Sequence, residues 1–144
     1  MLTRISRRQP LILASFENRT SVLELLLRAG ANVQLQQRHG LTALHAAAQH
    51  GNAQAVGMML AADAQVDARH QPSGLTALML AAQHGHAAVV KLLLEAGADR
   101  RLQDKAGDTA MAMAVARATK VGGQTGNDWA DVVCLLQADD EAPQ

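Results

Sequence analysis

Histidine is the residue type in this chain that offers most to chemistry, because an imidazole can bind a metal or transfer a proton near neutral pH. Two histidines, His50 and His84, occupy matching places in two similar blocks of sequence, so we expect them on neighbouring helices roughly 8–10 Å apart. Two imidazoles alone make a poor metal site, and no acidic third ligand accompanies them. We therefore predict no metal and no cofactor, and we keep a metal-dependent or catalytic factor as an alternative function.

The remaining histidines are scattered along the chain at positions 39, 45, 70 and 86. His84 and His86 flank Gly85, and at this spacing we expect their side chains to point in different directions. His45 follows Thr42 by three residues on one predicted helix face, so we expect it to exchange hydrogen bonds with the Thr42 hydroxyl and nearby backbone.

Other catalytic signatures are absent from the sequence. It contains no glycine-rich phosphate loop, no serine nucleophile elbow and no cysteine pair with metal-ligand spacing. The single cysteine, Cys134, cannot form a disulfide within the chain, and we expect it to be a small core residue of the last helix. The sequence therefore predicts a protein that is not an enzyme.

The elements that position these residues follow from an internal repeat. Similar blocks begin at Gly40, Gly74 and Gly107, at intervals of 34 and 33 residues. A period of this size marks an array of small stacked units, which offers an extended surface in place of a central cleft. We place four units at about residues 7–36, 37–69, 70–103 and 104–137, in a single domain 1–137 with an acidic disordered tail at 138–144.

Each unit is predicted to contain two short antiparallel helices and a projecting hairpin-like turn, which makes the fold an all-α solenoid. Thr42, Thr76 and Thr109 stand where N-caps belong, ahead of alanine-rich runs. Gly51 and Gly85 are expected to end first helices in the left-handed conformation. Second helices end at Gly97 and its counterparts Gly30 and Asp63, so Asp63 is also expected to be left-handed.

Two features depart from the period. Between units two and three an extra residue falls within 69–73, so the turn containing Pro72 is expected to project differently. Unit four carries about ten extra residues between its helices, from Thr119 to Asp128. Trp129, which aligns with His86, is expected to cover the end of the stack, and the alternative is that the inserted loop and Trp129 form a second contact site.

These features resemble the ankyrin repeat family. Gly74, Thr76 and Leu78, followed by Ala81-Ala82, Gly85-His86 and the run from Val89 to Asp99, match the family pattern, and the resemblance spans about residues 7–137. The proline that follows the threonine in the family is replaced by alanine in three units, and its histidine is retained only as His45. The resemblance implies a structural role for His45.

The resemblance also implies that a partner protein is bound by the tips of the turns and the exposed sides of the first helices. Among these positions Phe16, Leu41 and Leu75 are the apolar candidates for the strongest contacts. Carried over position by position, the predicted partner-binding residues are Arg38, His39, Leu41, Gln49, His50, His70, Ser73, Leu75, Gln83, His84, Lys105, Asp108 and Arg117.

Composition is compatible with this prediction. The 144 residues are 49% hydrophobic but only 1% aromatic, as expected for closely stacked aliphatic helices, and the net charge is zero. Residues 1–40 carry six Arg against two Glu, whereas residues 101–144 carry four basic and seven acidic groups. Without aromatic residues or a continuous basic stripe, we expect no nucleic-acid partner. We expect no membrane partner, a cytoplasmic location and a monomer, with self-assembly into a structural array as an alternative.

Overall fold

The computed structural model describes residues 10–121 and 129–138, which form short helices joined by turns, without a β-strand in those ranges. The all-α prediction is confirmed. The helices pair as first and second helix of each unit: α1 Pro10–Phe16, α2 Thr20–Arg28, α3 Ala43–His50, α4 Ala53–Ala61, α5 Ala77–Gln83, α6 Ala87–Glu95, α7 Ala110–Val121 and α8 Trp129–Ala138.

The helices stack in two layers. The first helices α1, α3, α5 and α7 pack in sequence against one another, and the second helices α2, α4, α6 and α8 do the same. Alanine makes the close approach of the first helices possible, since Ala46, Ala47 and Ala48 are fully buried. Larger side chains of the second helices, such as Met59 and Leu93, fill the space between units. The core is therefore shared between neighbouring units, as in other solenoids.

The three threonines cap first helices as predicted. The hydroxyl of Thr42 accepts a hydrogen bond from the backbone N–H of His45 at 3.3 Å, and Thr76 accepts one from Met79 at 3.3 Å. Thr109 accepts one from the N–H of Ala112 at 3.2 Å. Each cap satisfies a backbone donor that the helix cannot satisfy internally and contributes about 1 kcal/mol.

Left-handed residues end the helices where the sequence places them. Gly30, Gly51 and Gly85 have positive φ, and Asp63 has φ 65° at the position where Gly97 has φ 92°. Asp63 therefore occupies a conformation that normally favours glycine, and the structure confirms the prediction made from the repeat.

Three projecting turns, called fingers here, connect successive units. Finger 1 is residues 37–41, finger 2 is residues 70–75 and finger 3 is residues 104–108. Each is closed at its base by a backbone hydrogen bond: Gln37 N–H to Leu41 O at 2.7 Å, His70 N–H to Leu75 O at 2.7 Å, and Asp104 N–H to Asp108 O at 3.0 Å. The hairpin-like turns expected from the sequence are thus present, with a single antiparallel bridge between His70 and Leu75.

The fingers are also joined side by side. The N–H of Gln71 donates to the carbonyl of His39, and the N–H of Lys105 donates to the carbonyl of Ser73 at 2.9 Å. Pro72 lies between the donor and the acceptor of finger 2, and it has no N–H that would need a partner. The extra residue of this finger therefore lies at its tip, where it leaves the hydrogen bonds between neighbouring fingers intact.

The end of the chain differs in part from the prediction. Helix α7 continues to Val121, so the first residues of the predicted insertion, from Thr119, belong to that helix. The rest of the insertion, residues 122–128, and the tail after Ala138 lie outside the described residues. No helix in the described part of the chain is both long and apolar enough to cross a membrane.

Candidate functional site

His45 is buried at the base of finger 2 and serves the fold. Its Nδ1 lies 2.8 Å from the Thr42 hydroxyl and accepts the Thr42 N–H at 3.2 Å, which completes a reciprocal capping box. Its Nε2 lies 2.9 Å from the carbonyl oxygen of Ala68 and 3.2 Å from that of Leu75. The ring therefore ties helix α3 to the backbone on both sides of the base of finger 2, and the predicted hydrogen bond to Thr42 is confirmed.

These partners define one protonation state for His45. Nδ1 faces a backbone N–H and must accept, while Nε2 faces two carbonyl oxygens and must donate, so the ring is neutral with its proton on Nε2. Burial lowers the pKa of His45 from 6.5 to about 4, against the opposing effect of the two carbonyls. A neutral, fully buried imidazole of this kind is a structural group and not a proton donor to a substrate.

The other histidines form separate ring contacts. The rings of His50 and Phe16 form a T-shaped pair with centroids 4.9 Å apart. The rings of His84 and His86 are nearly parallel with centroids 6.1 Å apart, so the expectation that they point in different directions is wrong. The reason is the left-handed conformation of Gly85, φ +73°, which reverses the chain and brings both side chains to one side.

Ring nitrogens of His84 and His86 form hydrogen bonds with backbone carbonyl groups. Nδ1 of His84 lies 2.9 Å from the carbonyl of Leu80, and Nε2 of His86 lies 3.0 Å from that of Gln49. Among the residues that the structure describes, no group of three or more His, Cys, Asp or Glu side chains could hold a metal ion. Nothing in this arrangement assembles a nucleophile with a base.

A row of side chains at the start of the second helices links each unit to the unit before it. The Asn52 side chain donates to the carbonyl of Ser15 at 2.6 Å. At the equivalent place in the next unit His86 contacts the carbonyl of Gln49, and in the last unit Trp129 Nε1 donates to the carbonyl of Gln83 at 3.3 Å. Each partner carbonyl belongs to the last turn of a first helix, where intrahelical donors run out. The alignment of Trp129 with His86 indicated where the Trp129 ring packs, but nothing in the sequence indicated its hydrogen bond to Gln83.

The glycines at the ends of α3 and α5 serve this row in a second way. A Cβ on Gly51 would lie 2.6 Å from Nδ1 of His86, and a Cβ on Gly85 would lie 2.9 Å from Cε2 of Trp129. Both rings therefore pack directly on the glycine backbone. The predicted structural roles of Gly51 and Gly85 thus include close packing between units as well as the turn.

The predicted partner-binding residues lie along the concave face, which we define as the three fingers and the neighbouring sides of the first helices. Those exposed are Arg38, His39, His50, His84, Lys105, Asp108 and Arg117, and those half-buried are Leu41, Gln49, His70, Ser73, Leu75 and Gln83. Leu41 and Leu75 pack against the core, so they are less exposed than expected. Phe16 is exposed as expected, with 37% of its surface accessible.

One end of the concave face holds an apolar cavity of about 510 Å³ between α1 and finger 1. Leu13, with 38% of its surface exposed, and Phe16 contribute from the helix, and Leu41 contributes from the finger. Sequence reasoning missed Leu13. The repeat could have indicated it: Leu13 aligns with the fully buried Ala46 of α3, so a large apolar side chain stands in the first unit where the second unit has a small buried one.

The other end of the concave face holds a polar groove of about 270 Å³ between α5, finger 3 and α7. It brings together three predicted residues, Gln83, Asp108 and Arg117, and adds Lys120, which the sequence analysis did not select. Arg117 and Lys120 are one helical turn apart, so both can reach the same group. This groove therefore carries more positive than negative charge.

Cys134 is exposed, which corrects the expectation that it is a core residue. It stands on α8 at the position that the exposed Lys91 occupies on α6. Val132 and Leu136, two residues to either side, are the buried positions of this helix. The short apolar run around Cys134 concealed which side of the helix faces the stack.

Comparison with known proteins agrees with the architecture. No curated protein matches the chain significantly. A family model described as ankyrin repeats (3 copies) matches residues 3–70, and one described as ankyrin repeats (many copies) matches residues 59–114. Repeats of this kind are generally protein-interaction modules and typically non-catalytic. With matches extending over residues 3–114 and paired helices stacked under a row of fingers, the chain belongs to the ankyrin repeat family.

Proposed function

We propose that this protein binds another protein through its concave face and carries out no chemistry of its own. The observation that carries the proposal is the apolar cavity beside finger 1, where Leu13 and Phe16 leave more than a third of their surfaces exposed next to polar neighbours. Apolar side chains in such a setting are typical of the residues that dominate binding energy.

The stiffness of the concave face supports the same proposal. Backbone hydrogen bonds join finger 1 to finger 2 and finger 2 to finger 3, and the Arg69 guanidinium donates to the Gln103 carbonyl at 2.9 Å beside them. A surface that is already ordered loses little conformational entropy when a partner docks, so modest contacts produce useful affinity. The mode of action would be that of an adaptor, an inhibitor or a regulatory subunit.

The test is affinity capture from the source cells with a quantitative readout of every captured protein. A concave variant combines Phe16→Ala, His50→Ala, His84→Ala and Arg117→Ala, all at exposed positions. Its matched control replaces exposed residues of the second helices, Arg28→Ala and Lys91→Ala. We expect the captured partner to be lost with the concave variant and retained with the control, with both proteins fully helical by circular dichroism. Equal capture by the two variants would show that the concave face is not the binding site.

A specific observation favours self-assembly as a second candidate function. Val22 and Leu25 of α2 are 38% and 67% exposed at the N-terminal end of the stack. The counterparts of Val22 in the later units are fully buried: Ala55, Val89 and Val132. Sedimentation over a wide range of concentration, with Leu25→Lys as the comparison, decides between this candidate and the monomer. A wild-type mass that stays monomeric throughout rejects self-assembly.

A further inference from the structure

The two layers of helices differ in charge. The fingers and first helices are net positive by two: they carry Arg38, Lys105, Arg117 and Lys120 against Asp104 and Asp108. The described second helices are net negative by one: they carry Arg28 and Lys91 against Glu24, Glu95 and Asp131. The surface proposed to bind a partner is therefore the more positive side, which favours a partner with acidic groups.

Within the described residues, no ion pair neutralises the positive charge of the fingers and first helices. The ion pairs among the described residues join Arg19 to Glu17 and Arg28 to Glu24, away from the polar groove. One acidic group of the fingers, Asp104, is engaged in its own turn, because its carboxylate accepts the N–H groups of Ala106 and Asp108 at 2.9 Å each. Asp108 remains in the polar groove opposite two cations.

At the other end of the concave face, the apolar cavity is already ordered. The Phe16 ring is held by its edge contact with His50, at 4.9 Å between centroids, and Leu41 is packed against the core. Leu13 and Ile12 complete the apolar lining, while Glu17 and Gln37 stand at the rim. An anchored ring beside aliphatic side chains suits one large apolar side chain of a partner.

The spacing of the two sites follows from the stack. The cavity lies beside α1 and finger 1, and the groove lies between α5 and α7, so two unit repeats separate them. Neighbouring helices pack about 8–10 Å apart, which places the two sites roughly 16–20 Å apart. An extended chain rises about 3.3 Å per residue and covers that distance in about five or six residues.

We propose that the partner presents an extended segment with a large apolar side chain and, about five or six residues away, an aspartate or glutamate. The apolar side chain enters the cavity formed by Leu13, Phe16 and Leu41. The carboxylate lies between Arg117 and Lys120, where two cations on successive turns of α7 bind it by charge-assisted hydrogen bonds. This inference rests on the proposed function and specifies the partner's chemistry.

The experiment is selection from a displayed library of random linear peptides long enough to span both sites. On the wild-type protein we expect the selected peptides to be enriched several-fold in pairs of one large apolar and one acidic residue at the proposed spacing. On the double variant Arg117→Glu and Lys120→Glu, the acidic preference should become a basic one, while the apolar preference persists. On Phe16→Ser, the apolar preference should be lost and the acidic one retained.

The control is Lys91→Glu, an equal change of charge on α6 outside the concave face. It should leave both preferences unchanged, and circular dichroism confirms that each variant is folded. If selected peptides depend on Phe16 but show no acidic preference, or keep one after the charge reversal, this inference is wrong and the proposed function stands. If no selected peptide responds to any concave-face variant, the proposed function fails with it.

Discussion

At the scale of single residues, His45 shows how a residue with catalytic potential is committed to structure. Its ring bridges the cap of α3 and the carbonyls of Ala68 and Leu75 at the base of finger 2. In the next unit Met79 takes the same place and is equally buried. An apolar side chain therefore fills the site, and the histidine adds only the hydrogen bonds of the neutral ring.

This protonation state makes stability depend on pH. Because the pKa of His45 is about 4 in the folded protein and 6.5 in the unfolded chain, only the unfolded chain binds a proton between those values. The free energy of unfolding therefore falls as pH falls from 6.5 to 4, by up to roughly 3 kcal/mol from this residue. His45→Met removes that contribution and leaves two carbonyls without their donor, at a cost of about 1–3 kcal/mol at neutral pH.

We predict that His45→Met is less stable than wild type at pH 7 and that the difference shrinks toward zero as pH approaches 4.5. Urea unfolding of both proteins across this range measures it, and the carboxylates shared by the two proteins cancel in the comparison. A difference that stays constant with pH would mean that the pKa of His45 is the same in the folded protein as in the unfolded chain.

Gly57, in the middle of α4, provides a second prediction at this scale. Glycine is unfavourable inside a helix, and a Cβ at this position would meet no atom within 4 Å. Gly57→Ala is therefore expected to raise the free energy of unfolding by about 0.5–1 kcal/mol. A shift of the urea midpoint to lower concentration would show that the neighbouring helices close on this glycine in solution.

At the scale of elements, successive units are held together where a ring at the start of a second helix packs on the glycine that follows the first helix of the preceding unit. Gly85 and Gly97 both have positive φ, so alanine is strained at either position. Only at Gly85 would the new Cβ collide with a ring, that of Trp129, because nothing lies within 4 Å at Gly97. We predict that Gly97→Ala costs about 1 kcal/mol and that Gly85→Ala costs clearly more. Equal losses in urea unfolding would show that conformation alone requires glycine at Gly85.

Substitution of Trp129 tests the contact between Gly85 and Trp129 from the side of the ring. Its indole N–H donates to the carbonyl of Gln83, so Trp129→Ala loses a hydrogen bond as well as ring packing, and we expect a loss of about 2–3 kcal/mol. Trp129→His reproduces the pair that His86 forms with Gln49 and should recover part of that loss. If the histidine variant is no more stable than the alanine variant, the indole stabilises the stack by hydrophobic coverage alone.

Sequence reasoning worked for elements because the repeat carries their signals several times. Thr42, Thr76 and Thr109 mark helix starts, and Asp63 could be assigned a left-handed conformation only by alignment with Gly97. Exposure was harder to predict, since it depends on what covers each position. Leu13 was missed because it belongs to the first unit, and Cys134 was misjudged because a short apolar run surrounds it on α8. His84 and His86 were misjudged because a left-handed glycine redirects the chain between them.

At the scale of the whole molecule, the concave face combines a positive charge with most of the histidines. His39 and His70 lie on the fingers, His50 ends α3, and His84 directly follows α5. The pKa of His70 is lowered mainly by burial and to a smaller extent by the charge of His39, so this ring is protonated at a lower pH than an ordinary imidazole. A proton on His70 adds positive charge to a face proposed to bind an acidic segment.

We predict that an acidic peptide selected on the concave face binds several-fold more tightly at pH 5.5 than at pH 7.5. The carboxylates of the peptide stay ionised over this range, and any imidazole in contact with them that gains a proton increases the attraction. Titration calorimetry at each pH measures the affinity, and circular dichroism must show that the protein stays folded despite the stability lost at His45. The control replaces the four histidines by glutamine and should bind with little dependence on pH. Affinity that is unchanged or weaker at pH 5.5 for the wild-type protein would remove these histidines from the binding surface.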